Sequence, residues 1–181
     1  MNLESLSIKD NWSVFIDRDG VINRRIIGDY VKHIKDFHFL DGAIDAIVSF
    51  KDHFKHIFIV TNQQGVGKGE MTVDDLHNIH NYMLAQITKA GGRVDAIFFC
   101  PALKDSGDKC RKPEIGMALQ AQHDFPDVDF SKSIMIGDSL SDMAFGKNAG
   151  MKTIFVDAQD EGVKPANADS MYARLGSLII Q

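Results

Sequence analysis

Val14-Phe15-Ile16-Asp17-Arg18-Asp19-Gly20, residues 14–20, sets a short apolar run directly against two carboxylates and a glycine. β-Branched and aromatic residues followed at once by turn chemistry read as a buried strand that ends in a polar loop. The same punctuation recurs outward along the chain. Ile57-Phe58-Ile59-Val60 runs into Thr61-Asn62-Gln63-Gln64-Gly65, Ala96-Ile97-Phe98-Phe99 into Cys100-Pro101, and Ile134-Met135-Ile136 into Gly137-Asp138-Ser139-Leu140-Ser141-Asp142. Thr153-Ile154-Phe155-Val156 makes a fifth apolar run.

Between these runs lie segments of helical period, predicted as helices over Gly42 to Phe54, Val73 to Ala90, Ile115 to His123 and Ser141 to Ala149. Ala43, Ile47, Phe50 and Phe54 line one face of the first, and Leu76, Ile79, Met83 and Ile87 one face of the second. Strand and helix alternate, which predicts an α/β, Rossmann-like three-layer fold with a parallel sheet. Right-handed crossovers then bring every strand's carboxyl end to one edge, where such sheets bind ligands. The segment Ala158 to Asn167 is mostly polar, and Ser170 to Ile180 is expected to end in a short helix or strand. Residues 1–181 are expected to form one domain, without a cap domain, because neither Asn23 to the second strand nor Pro101 to Ser133 has room for one.

A net charge of −5 over 181 residues offers no basic field for a nucleic-acid backbone, so no nucleic-acid partner is expected. Apolar runs of four or five residues fall far short of the roughly 20 that span a membrane. The polar Met1–Asp10 lacks the apolar stretch of a signal peptide, and two cysteines make no disulfide framework, so the cytoplasm is the expected compartment. Gly65-Val66-Gly67-Lys68-Gly69 is no P-loop, since Asn62 stands where the first glycine belongs and Gly69 where Ser or Thr belongs.

The acidic loop after the first strand supports a specific chemistry. Carboxylates at positions i and i+2 share a site while holding different places in it, so Asp17 is suited to attack phosphorus and Asp19 to serve as general acid and base. Asp138 adds a hard oxygen ligand for Mg²⁺. Thr61 and Asn62 offer donors to phosphoryl oxygens, and Lys112 a positive charge. Singly, each is commonplace: Asp-Gly closes turns, Thr-Asn caps helices and a lone lysine is usually solvated. Their placement after successive strands is what argues for a site. Arg24, Arg25 and Lys68 are further candidates for a second phosphate or sugar hydroxyls, although each singly reads as solvated surface charge.

The motifs Asp17-Arg18-Asp19-Gly20-Val21-Ile22-Asn23, Val60-Thr61-Asn62-Gln63-Gln64-Gly65, Cys110-Arg111-Lys112-Pro113 and Gly137-Asp138 resemble the four motifs of haloacid dehalogenase-like phosphatases. Within them the chain is most similar to the D,D-heptose 1,7-bisphosphate phosphatases and their histidinol-phosphatase relatives. The likeness extends to Tyr30-Val31 and Phe39-Leu40-Asp41-Gly42. It implies a Mg²⁺-dependent hydrolase of a small phosphorylated sugar, acting through an aspartyl-phosphate. Asp17, Asp19, Thr61 and Lys112 would be catalytic. Asn23, Asn62, Gln63, Arg111 and Lys112 would meet the substrate. Asp17, Asp19 (through its carbonyl) and Asp138 would hold metal. A monomer is expected.

Two departures bear on substrate and metal. Relatives carry a structural zinc on Cys-x-His and Cys-x-Cys, whereas this chain has Cys100-Pro101-Ala102 and Asp108-Lys109-Cys110. With two of four ligands missing and only Asp108 as a replacement, no structural zinc is expected. The cysteines should then stay reduced, with the loop held by packing. Ser139 stands where the bisphosphatases often have lysine. The alternative functions are a histidinol-phosphate or other small sugar-phosphate phosphatase, or a receiver-like signalling module. In a receiver the phosphorylated Asp would follow the third strand, where this chain has Cys100 and Pro101.

Overall fold

The structure, a computed structural model, describes residues 11–157 and 162–180. The polar reading of Met1–Asp10 and the beginning of the Ala158–Asn167 segment lie outside them. Six strands, β1 (Ser13–Ile16), β2 (His56–Asn62), β3 (Ala96–Cys100), β4 (Ser133–Gly137), β5 (Lys152–Val156) and β6 (Ser170–Tyr172), form one parallel sheet in the order β3-β2-β1-β4-β5-β6. The sixth strand resolves the open expectation for Ser170 to Ile180, and a 3-10 turn at Leu175–Leu178 follows it.

Among the described residues five helices complete the three layers: α1 (Ala43–Phe50), α2 (Gln64–Gly67), α3 (Val73–Lys89), α4 (Gly116–Asp124) and α5 (Leu140–Ala149). The helix expected over Gly42 to Phe54 stops at Phe50 and continues as turns, and the short α2 arises in the glycine-rich stretch, for which no helix was expected. Alternation along each strand divides the core. Val14, Ile16, Ile57, Ile59, Ile134 and Ile136 pack with residues of α1 and α3 on one face. Phe15, Phe58, Val60 and Met135 pack with α4 and Phe145 of α5 on the other. Fully burying each such side chain contributes about 1.5–3 kcal/mol. No inserted domain separates β1 from α1, nor β3 from α4, and no described helix is long and apolar enough to cross a membrane.

The register sets up the cleft. Phe15 lies beside both Phe58 and Met135; β1 ends at Ile16 opposite Ile59 and Ile136, while β4 runs on to Gly137 and β2 to Asn62. Asp17, Gln63 and Asp138 therefore leave adjacent strands at the same edge. Helix starts are fixed there too: at α5 Ser139 Oγ accepts from Asp142 N and the Asp142 carboxylate accepts from Ser139 N, a capping box.

One expectation is corrected. Cys100 and Cys110 form a disulfide, with Cα atoms 5.5 Å apart, rather than remaining reduced. The turn made by Arg111 N donating to Asp108 O, with Gly116 N donating to Lys109 O, returns the loop to the end of β3 and puts the two cysteines side by side. The Asp108 carboxylate converges on both sulfurs. Sulfurs joined to each other are not the thiolates that a structural zinc takes.

Candidate active site

The carboxyl edge of the sheet opens into a cleft of about 300 Å³. At its floor is Asp17, 5 % exposed, and against it lies Lys112, 3 % exposed. Lys112 Nζ is 2.7 Å from Asp17 Oδ1, 2.6 Å from Asp142 Oδ1 and 2.8 Å from Val60 O. A lysine so enclosed keeps its charge only because carboxylates face it. Burial pushes its pKa down, but Asp142 and Asp17 more than reverse this and hold it above the ordinary value.

The acids of the cleft are not equivalent. Burial raises Asp17 to about 6, with Lys112 lowering it and Asp142 raising it. Asp138 is pushed up to about 8, by burial first and then by the charge of Asp17. Asp19 goes the other way. Burial pushes it up, but the Arg18 charge and the donors from Asn23, Arg18 and Gln63 prevail and hold it below the usual carboxylate range.

Asp19 is held on every side. Arg18 Nη2 is 3.1 and 3.0 Å from its two oxygens, Asn23 Nδ2 donates to Oδ1 at 2.9 Å and Gln63 Nε2 to Oδ2 at 2.9 Å. Gln63 Nε2 also donates to Thr61 Oγ1 at 2.8 Å. Asn23, fully buried, thus stands behind Asp19 rather than on the cleft wall. Asn62 lines the cleft, yet its side chain clasps the backbone of Lys112, accepting from its N at 3.1 Å and donating to its O at 3.3 Å. The sequence assigned these three amides to substrate; the structure shows them fixing Asp19, Thr61 and Lys112. Arg111 reaches the cleft wall and donates to Ala102 O.

A divalent cation fits the donor set. Oxygens of Asp17, Asp138 and Asp142 approach within 4.8 Å of one another, all hard ligands of the kind Mg²⁺ takes. Burial first, and the neighbouring carboxylates after it, raise Asp17 and Asp138, and a bound cation would favour their charged forms. Arg25 Nη2 itself marks a cation position, donating to Asp138 Oδ1 at 2.8 Å and to Asp19 O at 3.0 Å. Asp142 is more firmly engaged, with Oδ2 on the Ser139 cap and Oδ1 on Lys112.

Sequence reasoning missed Asp142 and Arg18 as members of this constellation, and offered Arg25 only as a candidate for a second phosphate or sugar hydroxyls. Asp142 was detectable as the fourth residue of a Ser-x-x-Asp cap; nothing in spacing pointed to Arg18. Two loops meet beside the cleft: Gln64 Nε2 donates to Tyr30 Oη at 2.9 Å, and Ile26, Asp29 and Tyr30 line the mouth with Arg111. Arg24 and Lys68 fall outside its lining; Lys68 lies over the Tyr30 ring.

Comparison with known proteins agrees with this architecture. A family model described as HAD-hydrolase-like matches residues 109–172. The D-glycero-alpha-D-manno-heptose-1,7-bisphosphate 7-phosphatase of Mycobacterium bovis (strain ATCC BAA-935 / AF2122/97) is 37% identical over 167 residues, covering 89% of this chain and 88% of that protein. The enzyme of the same name from Campylobacter jejuni subsp. jejuni serotype O:2 is 42% identical over 144 residues, covering 80% and 81%. Among solved structures, D,D-heptose 1,7-bisphosphate phosphatase from B. bronchiseptica, complexed with magnesium and phosphate, superposes with a TM-score of 0.83 at 30% identity, covering 93% of this chain and 96% of that one.

Proposed function

The chain belongs to the haloacid dehalogenase-like phosphatases, among the heptose 1,7-bisphosphate phosphatases, and is a hydrolase of phosphoric monoesters; from that premise we propose that it removes the 7-phosphate of a D-glycero-D-manno-heptose 1,7-bisphosphate. The observation that carries this reading is the buried Asp17–Lys112 pair with Asp19 two residues on in the same cleft. In support stand the names of the relatives and a mouth with two arginines, Arg25 and Arg111, to meet a second phosphate. No specific observation favours histidinol phosphate or a signalling role.

Asp17 Oδ attacks phosphorus, the phosphorus–oxygen bond to the sugar breaks, and an aspartyl-phosphate forms. The sugar oxygen leaves with a proton from Asp19, which must first take that proton up from the medium or from the monoanionic phosphate, because Arg18, Asn23 and Gln63 hold its carboxylate ionised in the free cleft. Asp19, now a carboxylate, takes a proton from water as that water attacks phosphorus, releasing inorganic phosphate and restoring Asp17. With its pKa near 6, Asp17 is mostly ionised at neutral pH and so competent as a nucleophile. Lys112 faces the charge that develops on the transferring group, and Thr61 is placed to donate to its oxygens. The carboxylates of Asp17 and Asp138 with the Asp19 carbonyl would hold Mg²⁺, which supplies charge neutralisation and orientation of the phosphate. Residues 1–181 would act as one catalytic domain, working in the cytoplasm as a monomer.

The test is phosphate release, with Mg²⁺, by purified protein and its Asp17→Asn variant, over both anomers of heptose 1,7-bisphosphate, histidinol phosphate and other sugar phosphates. One bisphosphate should exceed the rest by kcat/KM, and the variant should be inert. Equal rates across the panel would remove the substrate assignment, and an active variant the nucleophile.

A further inference from the structure

Arg18 is 1 % exposed, a degree of burial that an arginine tolerates only with partners. On one side its Nη2 meets both oxygens of Asp19. On the other its Nη1 lies 3.0 Å from Nε2 of His80, a residue of α3 that is itself 5 % exposed. Its Nε has no hydrogen-bond partner among the described residues, so the guanidinium is held by its fork alone.

A guanidinium has donors and no acceptor. The contact therefore requires His80 Nε2 to be the accepting nitrogen, which leaves the proton of the neutral ring on Nδ1. Burial, and then the neighbouring Arg18 charge, press the ring in that direction and bring its pKa down to about 3. His80 is thus a fixed acceptor rather than a proton carrier. The Phe99 ring, 6.1 Å away at an angle of 65°, helps set its orientation.

We propose that His80 is a positioning residue for Asp19, acting through Arg18: it fixes the guanidinium whose other end aims the general acid and base. The proposal rests on the phosphatase reading for the role of Asp19, and it assigns a task on the far side of the sheet edge to a helix that does not line the cleft. Without His80 the Arg18 fork would lose one of its two anchors, and the carboxylate it holds would no longer be confined to one direction. Misaiming a catalytic group lowers turnover more than ground-state binding.

The test compares His80→Leu, which keeps bulk and removes the acceptor, with His80→Gln, whose Oε1 can accept from Nη1. His80→Leu should lose ten- to hundredfold in kcat with KM within threefold, while His80→Gln stays within about threefold of the parent. Ile87→Val, on the same helix about two turns beyond His80, controls for stability and should keep kcat. In an Asp19→Asn background, His80→Leu should cause no further loss. The proposal is overturned by full kcat in His80→Leu, by equal losses in Leu and Gln, or by an undiminished loss in the Asn background. If the parent hydrolyses nothing, the phosphatase reading has failed by itself. ¹⁵N NMR of His80 still tests the contact: a neutral ring protonated at Nδ1 down to pH 5 supports it, and an Nε2-protonated or charged ring refutes it.

Discussion

Replacing Lys112 by Met is the most informative perturbation of this site, because it keeps the stem and deletes one buried charge facing two buried carboxylates. Breaking a buried ion pair by removing one partner costs about 3–5 kcal/mol, since the remaining charge has nothing to balance it. Here Asp17 has an escape. Burial already raises it to about 6 with Lys112 at 2.7 Å, so without the ammonium it moves higher and binds a proton near neutrality. A carboxyl whose folded pKa lies above its unfolded value stabilises the fold at low pH and loses that contribution as pH rises through the folded pKa. The stability gap between parent and Lys112→Met should thus be about 3 kcal/mol or more at pH 8 and clearly smaller at pH 5.5. Urea melts in EDTA, with the slope unchanged, would read it. In thermal melts about 3 kcal/mol corresponds to roughly 6–12 °C for a chain of this size. Equal stability at pH 8, or a loss independent of pH, would refute the account of Lys112 as the counter-ion of this floor.

Three further outcomes are expected. In EDTA the parent should lose stability between pH 5.5 and 8.5, because Asp17 near 6 and Asp138 near 8 both sit above their ordinary values; saturating Mg²⁺ should flatten that slope, and identical slopes would contradict it. Arg25→Ala should tighten Mg²⁺ binding several-fold by calorimetry, since Arg25 Nη2 competes for Asp138 Oδ1 and Asp19 O; weaker binding would show that it assists the cation instead. Opening the disulfide with dithiothreitol, or Cys110→Ser, should raise KM more than it lowers kcat, because Cys110 precedes Arg111 at the cleft wall; unchanged KM would mean that packing alone holds the loop.

What was legible in the sequence follows from how strongly each feature is encoded locally. β1 to β5 could be read because buried parallel strands are continuous apolar runs. β6 was ambiguous because Ser170–Tyr172 is three residues long and only partly apolar. Asp17, Asp138 and Lys112 were visible because they directly follow strands or sit in a recognisable motif. Arg18 and His80 were not, since their contact spans 62 positions and depends on how α3 packs. The disulfide escaped for a related reason: two cysteines ten apart become neighbours only once the loop's turns return it to the end of β3. Asn23 and Asn62 were placed in the right neighbourhood, but which way an amide faces is decided by the donors and acceptors around it.

The position of β4 has a consequence for how the protein emerges during synthesis. It inserts between β1 and β5, pairing Phe15 with Met135 across most of the chain length. A nascent chain that has already joined β1, β2 and β3 therefore exposes an unpaired, wholly apolar edge of Val14, Phe15 and Ile16 until β4 leaves the ribosome. That interval is when misassembly with other chains is most probable. Slowing translation between residues 100 and 133 should increase the demand for chaperones without altering the finished enzyme.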